Sequence, residues 1–352
     1  MLDLMSDEML VAVIGLGGGI LLGLAARLGR FCTMGAIEDL LYGGSDTRMR
    51  MWVLAIGLSI LGVFALSGAG LVDTTQSYYL SIRWMPLAAI LGGLMFGYGM
   101  ALAGNCGFGS IARLGGGDMR AFVIVLVMGL SAYVVLSGPL AQLRVSVFPQ
   151  EDVVNDLPPG FAQLIGSITG VSFNLVGMVI GAAITIGALA SRGLLAQPAS
   201  IFWSAVVAAG VLSGWAGTSW VANGGFSGLP VVSHSFSAPV GESLLYAMTA
   251  SARAPSFAVG SVAGVILGAF IGSLIKGHFR WEACEDPREL RRQITGAVLM
   301  GVGAVLALGC TVGQGISAFS MLAFSAPLTF AAILAGAAFG LRQLIEGFQP
   351  AE

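Results

Sequence analysis

Apolar residues along this chain fall into long runs separated by short polar connections. Runs of about 17–25 residues are long enough to cross a hydrocarbon layer as helices. Nine such helices are predicted, at about 9–28, 52–71, 86–104, 120–138, 172–190, 199–216, 255–275, 294–309 and 326–345. Several are interrupted by paired glycines or end in a Cys-x-x-Gly tip, the mark of a broken or re-entrant helix.

The most informative run is residues 92–117, GGLMFGYGMALAGNCGFGSIARLGGG. A soluble core helix does not carry so many glycines, because each costs a helix interior about 1 kcal/mol relative to alanine. Sliding residues 92–109 by 204 positions onto 296–313 pairs Gly92 with Gly296, Gly97 with Gly301 and Gly99 with Gly303. The same shift pairs Leu102 with Leu306, Ala103 with Ala307, Cys106 with Cys310 and Gly109 with Gly313. A third copy of the tip, Cys32-Thr33-Met34-Gly35, follows the first run, so the chain contains an internal repeat.

Composition supports a membrane protein. Of 352 residues, 56% are hydrophobic and 10% charged, with mean hydropathy +0.90; soluble domains carry about 25% charged residues. The N-terminal MLDLMSDEML is acidic where a cleavable signal would be basic. A net charge of −2 argues against nucleic acid. Of the four cysteines, three end apolar runs and none forms a CxxC pair, so a dithiol oxidoreductase motif is absent. With only His234 and His278 available, a zinc site is disfavoured, and no cofactor is expected.

Basic residues set an expected orientation. Lys276, Arg280, Arg288, Arg291 and Arg292 mark the loop between the seventh and eighth runs as cytoplasmic, and Arg48 and Arg50 do the same for the loop after the first. Glu151, Asp152 and Asp156 suit the outside for the 139–171 connection. The N-terminus is then periplasmic and the C-terminus cytoplasmic. The runs before Cys106 and Cys310 would cross in opposite senses, which makes the repeat an inverted one. The expectation is a single all-α polytopic transport domain over 1–352, with inverted halves at roughly 9–138 and 199–345 and a connecting helix at 172–190. The tip after the sixth run is Gly225-Phe226-Ser227-Gly228, with glycine where the other tips have cysteine. Inverted halves with broken helices place a substrate site near the bilayer midplane.

Each tip sets a thiol beside flexible backbone whose N–H groups, with half-helix N-termini, attract anions without a buried lysine. A thiol is soft and polarizable. Together they point to a small anion with a soft atom; a hard cation would want carboxylates. The candidate path residues are Cys32, Cys106 and Cys310, the tip glycines Gly35, Gly109, Gly313 and Gly225, and the flanking Asn105 and Gln314. Against this stands plain packing: buried cysteine and interhelical glycine are ordinary in membrane bundles. Asn105 and Gln314 are candidate donors to an anion or serve backbone freed by the break. Arg30 and Arg113 fit an anion vestibule or positive-inside anchoring, and Arg120 fits anchoring. Glu38, Asp39 and Asp118 read as caps or ion-pair partners, His234 as a hydrogen-bonded structural group, and Met95, Met100, Met300 and Met321 as core. Cys284 sits in a charged loop and reads as structural.

GRFCTMGAIEDLL, GGLMFGYGMALAGNCGFGSIARLGGG, GGFSG and GAVLMGVGAVLALGCTVGQGIS resemble the signature segments of the YeeE/YedE family of bacterial inner-membrane sulfur transporters, from about Gly19 to Ile316. The resemblance implies uptake of thiosulfate through an hourglass-shaped protein, with Cys32, Cys106 and Cys310 lining the path. It also implies a small cytoplasmic TusA-like sulfur carrier as partner. The chain departs from the pattern at Leu114-Gly115-Gly116-Gly117-Asp118 and at Leu229-Pro230 with His234 beyond. The expected function is therefore permease rather than enzyme. A membrane sulfurtransferase or redox enzyme with a covalent cysteine, and a soft-metal transporter, are the competing classes.

Overall fold

The computed structural model describes residues 6–82, 84–149, 160–224, 228–283 and 286–347, and among these it is all-α, with three isolated bridges and no strand. In chain order the helices are α1 Asp7–Leu28, α2 Thr33–Leu41, α3 Thr47–Gly68, α4 Tyr78–Ser81, α5 Pro86–Ala103, α6 Gly107–Gly115, α7 Met119–Leu136 and α8 Ala141–Val147. They continue as α9 Phe161–Thr169, α10 Phe173–Leu189, α11 Arg192–Leu195, α12 Pro198–Gly224, α13 Ala238–Thr249, α14 Phe257–Ile275, α15 Pro287–Leu306 and α16 Ser325–Glu346. A short helix over 311–320, π-helical between Gly313 and Ala318, lies between α15 and α16.

Each of the nine apolar runs coincides with one of these helices. Seven described segments are long and apolar enough to cross a membrane by themselves, and α9 with α10, bent by 119°, makes an eighth. The remaining predicted span, the eighth run, is α15, which carries Arg288, Glu289, Arg291 and Arg292 in its first two turns. That charged start is why length and composition give seven or eight where the apolar pattern predicts nine.

Apolar side chains cannot drive helix association in lipid, so these helices meet through close backbone packing at glycine. The crossing of α5 and α15 shows this best. A β-carbon added to Gly92 would lie 2.5 Å from Ala307 N and 2.7 Å from Gly303 O. One added to Gly296 would lie 2.6 Å from Ala103 N and 2.5 Å from Gly99 O. These are the same contacts with 204 added to or taken from every number, and they run antiparallel. Gly97 and Gly301 repeat the exchange: the first abuts Ile333 O on α16, the second Met128 O on α7.

The wider packing obeys the same rule. α1 lies along α14 as α3 lies along α12; α5 meets α16 as α7 meets α15; α2 meets α16 as α13 meets α7. α10 packs on α3. Short helices α2, α6, α13 and 311–320 pack against this frame, each entered through a chain break.

Candidate functional site

At each tip a long helix ends, the backbone turns, and a short helix begins. Two residues before each cysteine the chain enters the left-handed region, at Arg30 (φ 53°), Gly104 (φ 77°) and Leu308 (φ 56°). Glycine takes that conformation freely; a residue with a β-carbon gives up roughly 1 kcal/mol or more there. Gln314 secures the turn before Cys310: its amide donates to Ala307 O and Leu308 O, both at 3.1 Å, and its oxygen accepts from Ser325 Oγ at 3.1 Å.

At Cys106 and Cys310 the Cys-x-x-Gly motif is a helix-capping unit with sulfur as acceptor. Cys106 is the N-cap of α6, and its sulfur accepts from the Gly109 N–H at 3.3 Å. Cys310 does the same for Gly313 N–H at 3.4 Å and also accepts from Phe236 N–H at 3.4 Å. Cys32 is the N-cap of α2, its sulfur faced by the N–H groups of Met34 and Gly35. Glycine at the third helical position leaves room for neighbours. At Gly313 a β-carbon would come 2.6 Å from Ser235 Oγ and 3.1 Å from the Tyr79 hydroxyl, and at Gly35 2.5 Å from the Arg48 guanidinium.

These tips meet. The thiols of Cys32 and Cys106 are neighbours, and Cys32 Sγ lies 4.0 Å from Asn105 Oδ1. The Thr311 hydroxyl lies against the Cys106 sulfur, so Cys310 is one residue farther along, with Ser235 Oγ 3.8 Å from its sulfur. Cys106 and Cys310 are fully buried and Cys32 is half-buried. Among the described residues no three His, Cys, Asp or Glu side chains gather as metal ligands. Gly225 and Cys284 lie outside the described residues. The short helix after α12 starts at Ala238, with Ser237 at its N-cap.

Two cavities, each about 440 Å³, open towards this meeting point from opposite ends of α1 and α14. One is lined by Cys32, Gly35, Asn105 and Gly109 together with Arg27, Arg30, Arg48, Arg113 and Lys276; Glu38 is the acidic residue in its wall. Asp39 pairs with Arg48 at 3.1 Å, and Lys276 Nζ donates to the last carbonyls of α1, Arg27 O at 2.9 Å and Leu28 O at 3.1 Å. Arg120 stands outside this wall, bound to Asp118 at 3.3 Å and Glu282 at 3.5 Å, while Asp118 caps α7. The other cavity carries Tyr79, Trp215, Ser233, Ser235, Ser237, Glu8 and Glu242, and no described Lys or Arg lines it.

Sequence reasoning missed Tyr79, Ser235, Phe236 and Ser237. A signal existed in part: Phe236-Ser237 repeats Phe31-Cys32, each pair closing on the N-cap of a short helix. His234 is buried, with Nδ1 2.6 Å from Ser261 Oγ, and its backbone oxygen accepts from Ser317 Oγ at 2.7 Å. Met100, Met300 and Met321 are fully buried core.

Residues 28–339 match the sulphur transport family. The chain belongs to that family. Its role is transport, and it is embedded in a membrane through its apolar helices. This transporter is similar to a protein named thiosulfate transporter TsuA in Escherichia coli, 26% identical over 318 residues, covering 88% of this chain and 87% of that one. It is equally similar to the thiosulfate transporter TsuA of Spirochaeta thermophila, 26% identical over 88% of this chain and 92% of the relative. A shorter likeness, 28% identity over 95 residues, links it to the probable transporter YedE of Salmonella typhimurium.

Proposed function

We propose that this transporter carries thiosulfate or a closely related small sulfur-containing anion across the bacterial inner membrane. The observation that carries the reading is the convergence of four short-helix N-termini, led by Cys32, Cys106, Ser237 and Cys310, between two cavities. Helix N-termini present unpaired N–H groups and a partial positive charge. They hold an anion without a buried lysine or arginine. The three thiols add successive weak contacts for a soft sulfur atom, and weak repeated contacts suit passage better than one tight site. Two relatives named as thiosulfate transporters agree with this substrate.

The reciprocal contacts of α5 with α15 support two inverted halves, with the meeting point near the bilayer midplane. The basic cavity then faces the cytoplasm by the positive-inside rule, with the N-terminus periplasmic and the C-terminus cytoplasmic. Arg27, Arg30, Arg48, Arg113 and Lys276 there draw the anion onward. A TusA-like sulfur carrier is the proposed recipient on that face, on the strength of the family likeness.

The test is uptake of sulfur-35-labelled thiosulfate into proteoliposomes containing the purified chain, beside growth on thiosulfate as sole sulfur source in cells lacking their own sulfate and thiosulfate uptake. Accumulation that falls on Cys106→Ser or Cys310→Ser is expected. No accumulation by the wild-type protein, or full activity in both variants, would end the proposal.

A further inference from the structure

Among the buried hydroxyls that find no hydrogen-bond partner in the described residues, three sit beside the thiols: Thr33, Thr311 and Ser237. Their side chains are 1% exposed or less. A buried hydroxyl left unpaired is costly, and folded chains keep few of them. Three around one meeting point require a physical reason.

Their placement supplies one. Thr33 follows Cys32, and Thr311 follows Cys310. Cys106 is followed by Gly107 instead, and there the hydroxyl comes from across the gap: a β-carbon on Gly107 would lie 3.7 Å from Ser237 Oγ. The three hydroxyls therefore sit around the tips, Thr33 next to Cys32 in the chain, Thr311 against the Cys106 sulfur and Ser237 across from Gly107. Ser237 also lines the cavity away from the basic cluster. It occupies the N-cap of α13, the same station that Cys32 holds on α2.

We propose that Thr33, Thr311 and Ser237 are the oxygen-binding half of the path, each donating its O–H to the oxyanion end of the passing anion while the neighbouring thiol meets its sulfur. This rests on the thiosulfate reading above. A neutral hydroxyl suits the task because it is a single hard donor that carries no charge. It orients a tetrahedral oxyanion without holding it as an arginine would. Thiol and hydroxyl side by side thus select for an anion with both a soft sulfur and hard oxygens, and set it apart from sulfate, which offers oxygens alone.

The experiment compares wild type with Thr33→Val, Thr311→Val, Ser237→Ala and the conservative Thr311→Ser, all as purified full-length chain. Thiosulfate uptake in proteoliposomes gives the half-saturation concentration; thermal unfolding in detergent, with and without thiosulfate, gives stability. Removing an unpaired buried hydroxyl relieves the empty protein, so the three deletions are expected to melt at or above the wild-type temperature without ligand. Their half-saturation for thiosulfate rises about tenfold, the effect of one lost hydrogen bond to an anion. Thiosulfate raises their melting temperature less than it raises that of wild type, and Thr311→Ser keeps wild-type values. Deletions that unfold or melt lower with unchanged half-saturation would overturn the proposal, since the hydroxyls would then serve the fold. Unchanged half-saturation at wild-type stability would overturn it too and leave the thiosulfate reading standing. Absence of thiosulfate uptake by wild type would remove both.

Discussion

Cys106 has two roles that substitution can separate. Its sulfur caps α6 through the 3.3 Å bond from Gly109 N–H, and the same sulfur faces the thiol of Cys32. Cys106→Ala removes both. Losing an N-cap acceptor costs about 1 kcal/mol, and emptying the volume of a fully buried sulfur adds roughly 1 kcal/mol more. Cys106→Ser keeps an acceptor at the cap, of the type helices favour most, and nearly fills the space. It discards the soft atom alone. The serine variant is therefore expected to unfold within a degree or two of wild type in detergent, yet to take up thiosulfate at least about tenfold more slowly. The alanine variant loses on both counts. Thermal unfolding and initial uptake rate in proteoliposomes read the two effects separately. Wild-type uptake by Cys106→Ser would show that sulfur is there for the cap, and wild-type melting of Cys106→Ala would show that it is not.

Gly92→Ala and Gly296→Ala place a methyl against the same backbone atoms in opposite halves, so they should destabilise by nearly equal amounts of about 1–3 kcal/mol. Gly17→Ala, with nothing within 4 Å of the added carbon, should be neutral in the same melting series. Leu308→Gly removes a left-handed non-glycine residue and should raise stability by about 1 kcal/mol if the turn before Cys310 is strained; a lower melting temperature refutes that strain. Arg113→Gln and Arg27→Gln should slow uptake at low ionic strength and converge on wild type near 1 M salt, where the screening length falls to about 3 Å. Asp73 accepts from the Thr75 hydroxyl and N–H and from the Gln76 amide, which hold its carboxyl below its ordinary value of 3.8. A lowered folded-state value means its stabilisation is present above about pH 4 and is lost as pH falls through that lower value. Asp73→Asn should flatten the acid limb of the stability curve, and an unchanged limb counts against the assignment.

The apolar runs made the long helices legible because each is the length of a membrane crossing. The Cys-x-x-Gly spacing was legible as a tip, but not as a cap: that sulfur accepts the N–H three residues on depends on helix geometry that spacing alone leaves open. Of the two roles open to Gln314 by sequence, anion donor or partner for backbone freed by the break, its amide group fills the second, through Ala307 O, Leu308 O and Ser325. Asn105 does line the basic cavity. Tyr79 and Ser235 reach Cys310 from segments far away in sequence, and no local pattern announces such a contact. Ser237 is hidden in the sequence because cysteine and glycine mark the repeat, while this position keeps the backbone station and exchanges sulfur for oxygen.

The seam between α5 and α15 has a mechanical consequence. With backbone lying on backbone at Gly92, Gly99, Gly296 and Gly303, the two halves have no cushion of side chains on which to slide. Large rocking of one half over the other would tear this close backbone contact, so passage is better served by small excursions of the four short helices about their bent entrances. In that picture the frame stays still and the gatekeepers breathe, three of them hung on a single twisted residue.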